Sequence, residues 1–179
     1  METSMATASK PDRKMWFSMW FLGAIASFGV AFFPFFYFSV DRRNRHFERQ
    51  EEFERKIASI SKKDWNPAPI PNRNAKLWAA SIILIVPVFA LAYLLSKDLN
   101  EHQRRQCEFL ATFYPERKYT DQWIFIRNCA LITAITLGFG VVYWLYKIVN
   151  LYNNHFKEQY HIEHELTQLM EKPSHVQPV

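Results

Sequence analysis

The chain has 179 residues, of which 49% are hydrophobic and 22% are charged, and its formal net charge is +5. Two cysteines, Cys107 and Cys129, are too few for a disulfide framework or a thiolate metal site. Lys and Arg in loops that border anionic lipid account for the positive charge, so no nucleic-acid partner is predicted.

The apolar residues are concentrated in three long segments. Residues 15–40 and 77–95 contain no charged residue, and residues 122–149 contain only Arg127 near the start and Lys147 near the end. About 20 apolar residues in a helix suffice to cross the hydrocarbon core of a bilayer. We therefore predict an all-α protein of the cell membrane, with transmembrane helices at 15–40, 76–96 and 122–149 and the lipid bilayer as a partner.

The remaining segments connect or extend these predicted spans. Between Trp65 and Pro71 every second residue is a proline without an amide donor, so this stretch is predicted to be an extended linker. The third span and its extension are predicted to form one helix from about Asp121 to Met170. The predicted segments are a disordered tail at 1–14, helical tails at 41–63, 97–113 and 150–170, a Pro-rich linker at 64–75, a loop at 114–121 and a disordered C-terminus at 171–179.

A polar pattern occurs three times, each time at the end of an apolar run. A Tyr is followed by Asn at seven residues, His at nine, Gln at thirteen and Phe or Ile at sixteen, which indicates a structural unit used three times. On a helix the His, Gln and Phe or Ile form one stripe, which is typical of a helix that packs on another helix. The copies are Tyr37, Asn44, His46, Gln50 and Phe53; Tyr93, Asn100, His102, Gln106 and Phe109; and Tyr146, Asn153, His155, Gln159 and Ile162.

The third tail also contains the strongest metal-like spacing in the sequence. Glu158 and His161 have the i, i+3 spacing of di-iron helices, and His164 follows one turn later. Such sites need a second Glu-x-x-His helix, which this chain lacks. We therefore predict no metal site and no cofactor, keep Glu158, His161 and His164 as the candidates, and expect the three repeated histidines to serve as polar packing groups.

The distribution of Lys and Arg predicts the orientation. The loop between the first two spans carries ten of these residues, which places that loop and the C-terminus in the cytoplasm and the N-terminus outside. Three single crossings would put the second tail on the opposite side from the first and third. Nothing in the sequence explains why one tail pattern should serve both sides.

Three segments resemble a known family. They are Ser96–His102, Asn44–Glu54 and Gly140–Lys147, the last containing Tyr-Trp-Leu-Tyr and the first Asp-Leu-Asn-Glu-His. Together they resemble small prokaryotic, often archaeal, multi-pass membrane proteins of a domain-of-unknown-function family. The resemblance implies an integral membrane protein and brings no activity with it.

The sequence contains no recognisable catalytic motif, so no enzyme is predicted. The favoured hypothesis is a non-catalytic accessory or scaffold subunit that packs against other membrane-protein subunits. The first alternative is a small homo-oligomeric transport or channel component, although the span centres offer only Ser27, Thr133 and Thr136 as polar groups. The second alternative is a metal-binding membrane enzyme subunit that uses the His and Glu residues of the third tail.

Overall fold

A computed structural model describes residues 12–117, 119 and 122–171 as an all-helical protein, with no strand in these ranges. The fold class predicted from the sequence is therefore confirmed at the level of helical content. The elements are α1 (Phe17–Ala26), α2 (Phe32–Ser61), α3 (Ala75–Ser81), a 3₁₀ helix (Ile82–Leu84), α4 (Val86–Phe113), α5 (Ile126–Ile135) and α6 (Gly140–Glu171). The predicted tails at 1–14 and 171–179 lie largely outside the described residues.

Each predicted span is divided into two helices by a turn. The continuous helices expected at 15–40, 76–96 and 122–149 are interrupted at residues 27–31, at Ile85 and at residues 136–139. A short helix (α1, α3 with its 3₁₀ turn, or α5) runs to the turn, and a long helix (α2, α4 or α6) returns from it. In the described part of the chain, no helix has both the length and the apolar character needed to cross a membrane.

The first and third turns end their short helices in the same way. The amide of Gly29 donates to the carbonyl of Ala24, and that of Gly138 donates to Thr133, each over five residues. The left-handed residue of this Schellman-type closure is Phe28 in the first turn and Leu137 in the third, with φ of 50° and 52°. The glycine that follows each also has a positive φ, of 92° and 99°. The hydroxyls of Ser27 and Thr136 each accept a hydrogen bond from the amide four residues later. The single helix predicted from about Asp121 to Met170 is therefore wrong, because the third turn divides that segment into α5 and α6.

The second turn lacks this sequence signal. Ile85 occupies the position of Gly29 and Gly138 in the repeat, with φ of 61° and ψ of −54°. A β-branched residue rarely adopts this region, which resembles the strained γ-turn. Pro87 lies in the first turn of α4, where its missing amide is not needed, and it marks the start of that helix.

The three long helices run side by side in the same direction. Equivalent residues of α2, α4 and α6 meet at successive levels along the bundle, first the histidines, then the glutamines and then an apolar cluster. Successive hairpins enter and leave on the same side, so the three polar extensions lie together. The alternation of sides expected from three single crossings is not what the structure shows.

The repeated asparagines join one unit to the next. The side-chain oxygen of Asn44 accepts from the amide of Arg73 and its nitrogen donates to the same residue's carbonyl, at 3.1 and 2.7 Å. Asn100 pairs in the same way with Ile124, and Asn153 with Met15. Each backbone partner lies two residues before a short helix. Because Asn153 of the last unit bonds the backbone of Met15 in the first unit, the three units close into a ring.

Gly140 marks a close approach that tests the hairpin geometry. A Cβ at this position would lie 2.7 and 2.8 Å from the backbone Cα and N of Thr133. We expect Gly140→Ala to lower the free energy of unfolding by about 1–3 kcal/mol, because the two nearest atoms are backbone and cannot rotate away. Gly23→Ala is the matched control, since its Cβ would meet the Ala31 Cβ at an ordinary 3.6 Å. Equal effects of the two changes would contradict this packing.

The adjacent residues Asn153 and Asn154 provide a test of the ring closure. Asn153 makes two hydrogen bonds to the Met15 backbone and accepts a third from Arg42 at 2.7 Å, whereas Asn154 is exposed. We expect Asn153→Ala to cost about 2–3 kcal/mol, since the change leaves partly buried backbone groups unpaired. Asn154→Ala should stay within about 0.5 kcal/mol of the unchanged chain. Chemical denaturation followed by circular dichroism measures both.

Candidate functional site

The histidines of the three repeats meet at the axis of the bundle. His46, His102 and His155 (the histidine cluster) are each almost completely buried, and their ring centroids are 5.3, 5.2 and 5.0 Å apart. The rings stand nearly perpendicular to one another, with interplanar angles of 77–85°. The Nε2 atoms of His46 and His155 are 3.3 Å apart. This is an almost equilateral arrangement of three imidazoles.

The outer nitrogen of His46 is held by a carboxylate. Nδ1 of His46 lies 2.7 Å from Asp12 Oδ2, and Arg49 donates to both Asp12 oxygens at 2.9 and 2.7 Å. Burial alone would raise the pKa of Asp12, but the hydrogen bonds and charges of His46 and Arg49 lower it to about 2. Asp12 is therefore ionised and can only accept, so Nδ1 of His46 carries the hydrogen and Nε2 carries the lone pair.

The other two rings are fixed differently. Nδ1 of His155 lies 3.2 Å from the hydroxyl of Tyr119, which also reaches Gln106 Oε1 at 3.3 Å. The ring of His102 stacks on Phe47, with centroids 4.2 Å apart and an interplanar angle of 20°. Nε2 of His102 is buried and has no hydrogen-bond partner. A buried polar nitrogen without a partner is costly, so this atom requires an explanation.

The surroundings keep all three imidazoles neutral. Burial is the main cause that lowers the pKa of each, well below the ordinary value for His102 and His155. The neighbouring histidines lower the pKa of His102 and His155 further, and for His46 burial outweighs the opposing effect of Asp12. Neutral imidazole is the form that binds a metal ion.

A layer of glutamines lies beyond the histidines. Gln106 donates to Gln159, and Gln159 donates to Gln50 Oε1 at 2.5 Å. Gln50 Nε2 lies 3.4 Å from Glu54, which also accepts from Arg105 and Trp65. These buried amides therefore form a directional chain that ends on a carboxylate paired with an arginine.

The last repeated position and its neighbours form a small apolar cluster. Phe109 and Ile162 are buried there, and Phe53 packs against them. The cluster closes the polar end of the bundle and separates the glutamine layer from solvent. The three repeated tyrosines lie instead on the outer surface, where Tyr93 and Tyr146 are about half exposed.

The metal candidates singled out from the sequence do not come together. His161 and His164 are exposed on the outside of α6, Glu158 is half-buried, and His164 pairs with Gln168 of its own helix. In the described ranges, only the histidine cluster brings three His, Cys, Asp or Glu residues into an arrangement that could hold a metal ion, with the ligand nitrogens within 4.8 Å of one another. Sequence reasoning placed these histidines on the packing face but missed their convergence, and it gave no role to Asp12 or Tyr119.

Comparison with known proteins gives no family or relative: no protein-family model, curated protein or solved structure matches the chain.

Acid should destabilise the metal-free chain through the histidine cluster. Below the ordinary histidine pKa of about 6.5, the unfolded chain binds protons that the native cluster excludes. The free energy of unfolding is therefore highest above about pH 6.5 and decreases as the pH falls toward the lowered pKa values of the histidines in the folded chain. Three such groups give a slope of up to about 4 kcal/mol per pH unit. Denaturation in chelator between pH 7.5 and 5 measures it.

The control separates the cluster from exposed histidines. His102→Gln should reduce the number of protons that the chain binds on unfolding by about one, and the slope of stability against pH falls accordingly. His164→Gln should leave the slope unchanged. A slope that is the same in the unchanged chain and in His102→Gln would contradict a neutral, buried His102.

Proposed function

We propose that the chain is a non-catalytic membrane protein that enters the bilayer from one side through its three helical hairpins and supports a polar helical bundle at the surface. The observation that carries this proposal is the exposure of the hairpin turns. Phe28 is 99% exposed, Leu137 90% and Phe139 81%, and Ile83 to Val86 are about 70% exposed. Such a set of large apolar side chains at one end of a protein is typical of a membrane or protein contact surface.

The backbone of the turns suits a hydrocarbon environment. In the first and third turns each amide from residue 27 to 33 and from 136 to 142 finds an acceptor within the hairpin. Two of these acceptors are side chains, because Ser27 Oγ accepts from the amide of Ala31 and Thr136 Oγ1 accepts from that of Gly140. Unpaired backbone groups cost several kcal/mol in lipid, so this internal pairing is what insertion demands. A short helix of ten residues is about 15 Å long. That length reaches about halfway through a hydrocarbon core of about 30 Å.

Aromatic and basic residues follow at the base of the hairpins. Each unit has an aromatic pair at this level, a Trp near the start of the short helix and the repeated Tyr on the long helix. Amphipathic rings of this kind prefer the headgroup region. Exposed Lys76, Lys97 and Arg127 lie near the same level, where they suit anionic lipid. The aromatic residues are Trp16, Trp78, Trp123, Tyr37, Tyr93 and Tyr146.

A cavity of about 870 Å³ beside the first hairpin combines both characters. Its apolar end is lined by Met19, Trp20 and Phe38, and its polar end by Lys14 and Arg45. A lipid with an acyl chain and an anionic headgroup has the same division. The cavity therefore supports contact with lipid at this edge of the protein.

The proposed topology changes the orientation expected from three single crossings. Both described ends of the chain lie on the polar side of the hairpins, and by the positive-inside rule that side is the cytoplasmic one. The bundle surface remains available to other membrane subunits, as in the scaffold hypothesis. A transport path along the axis is not favoured, because buried histidines and glutamines fill it.

Cysteine labelling distinguishes the hairpins from single crossings. In a background without Cys107 and Cys129, single cysteines replace Ser59, Thr112 and Leu169, which are exposed residues of the three extensions. In sealed vesicles of known sidedness, an impermeant maleimide should label all three from the same side. A cysteine at Phe28 or Leu137 should stay protected until detergent is added. Labelling of position 112 from the opposite side would overturn the hairpin topology.

A flotation assay tests whether the turns hold the protein in the membrane. Phe28→Asp with Leu137→Asp should reduce recovery with liposomes at least tenfold, because a carboxylate in hydrocarbon costs about 2.5–3.5 kcal/mol. Leu169→Asp is the matched control, since Leu169 is exposed at the other end of the bundle. An equal loss in the control, or none in the double variant, would contradict membrane insertion by the turns.

A further inference from the structure

We propose that His46, His102 and His155 form a binding site for one transition-metal ion, Zn²⁺ by the chemistry of its ligands, with one ligand supplied by each repeat. The site is independent of the membrane topology proposed above. It lies in the polar half of the bundle, where the three long helices meet at the approximate three-fold axis.

The distances fit coordination by imidazole. Tetrahedral ligands at about 2.0–2.1 Å from zinc are separated from one another by about 3.3 Å. The Nε2 atoms of His46 and His155 are already 3.3 Å apart. The ligand nitrogens of all three residues lie within 4.8 Å of one another, so a movement of about 1.5 Å or less by one ring completes the set.

The hydrogen bonds around the cluster turn lone pairs inward. Asp12 fixes the hydrogen of His46 on Nδ1 and leaves Nε2 free to bind a cation. If Tyr119 donates to Gln106, it accepts from Nδ1 of His155, and the lone pair of His155 then faces that of His46. Two facing lone pairs repel each other unless a cation lies between them. Nε2 of His102, which is buried without a partner, would gain one from the same ion.

The first ligand has the support that metal-binding histidines usually have. A ligating imidazole commonly donates its other N–H to a carboxylate, which fixes the ring and raises its basicity. Asp12 supplies this contact to His46, and Arg49 holds Asp12 in place through two hydrogen bonds. A merely packed histidine does not need such a second layer of support.

The donor set decides the class of metal. Three neutral imidazoles suit Zn²⁺, Co²⁺, Ni²⁺ and Cu²⁺, whereas Mg²⁺ and Ca²⁺ take oxygen ligands. Three histidines leave the fourth tetrahedral position of zinc for a water molecule or another group. Such an ion would join α2, α4 and α6 directly and would stabilise the bundle.

A cavity beside α2 and α4 borders one residue of the cluster. It has a volume of about 200 Å³ and is lined by His102, Glu48, Glu51 and Arg105. Arg105 is paired with Glu54, so the carboxylates of Glu48 and Glu51 leave this cavity with an excess of negative charge. The ring of His102 thus borders a cavity suited to a cation, while its Nε2 is buried on the side of the other histidines.

The test is zinc binding to the full chain in detergent. After treatment with chelator and dialysis, Zn²⁺ is titrated against a competing chromophoric chelator, and bound metal is counted by elemental analysis. We expect one Zn²⁺ per chain, and a Co²⁺-loaded chain should show the intense visible absorption of a tetrahedral site. His102→Gln and His155→Gln should each weaken binding at least 100-fold.

The controls separate this site from the exposed histidines. His164→Gln should bind Zn²⁺ as the unchanged chain does, because His164 lies on the outer face of α6. Asp12→Asn tests the proposal even if the ligand variants fail to fold, since it leaves all three imidazoles in place. It should weaken binding by about 10–100-fold. The proposal is overturned if the chain binds less than a tenth of an equivalent of Zn²⁺, if binding is unchanged in Asp12→Asn and His102→Gln, or if binding is lost in His164→Gln.

Discussion

The pairing of each repeated asparagine with a backbone segment of another unit is the interaction on which this fold depends. Asn44, Asn100 and Asn153 each use both ends of the amide on one residue, two positions before a short helix. This contact fixes the position of each hairpin along the bundle axis relative to the neighbouring hairpin. Because the same contact occurs three times, the hairpins share one direction and equivalent residues of the long helices meet level by level. The buried histidine and glutamine layers form because the three hairpins are aligned at the same position along the bundle axis.

A core with so many polar groups is stable only if their hydrogen bonds are made within it. The glutamine layer meets this condition, since its chain of amides ends on Glu54 and that carboxylate is paired with Arg105. The histidine layer meets it less completely, because Nε2 of His102 lacks a partner. Two neighbouring layers of one bundle thus differ in how well their polar atoms are satisfied. Unsatisfied buried groups in native proteins can mark function, and one of those in the described residues, Nε2 of His102, lies in the histidine cluster.

The sequence revealed the repeated unit, the helical extensions and the packing stripe, because a fixed spacing and a helical period are local properties. It did not reveal the turns inside the apolar runs. Ser27 to Gly29 and Thr136 to Gly138 carry a helix-ending signal, but Ile85 has none, so the three runs looked like three continuous spans. The convergence of His46, His102 and His155 depends on the long helices running in one direction, which hydrophobicity cannot show. Asp12 and Tyr119 lie outside the repeat and have no local signal.

The closure of the ring through Asn153 and Met15 has a consequence for how such a protein can arise. Every unit offers an asparagine to the next and presents a backbone segment to the one before, so a single unit carries both halves of the contact. This is a head-to-tail interface whose rotation closes after three copies, as in a cyclic trimer. The linkers between units determine chain order but not the geometry of the contact. The architecture is therefore that of a cyclic trimer formed by one chain, and because the three units are covalently joined they need not be identical, as Ile85 at the second turn shows.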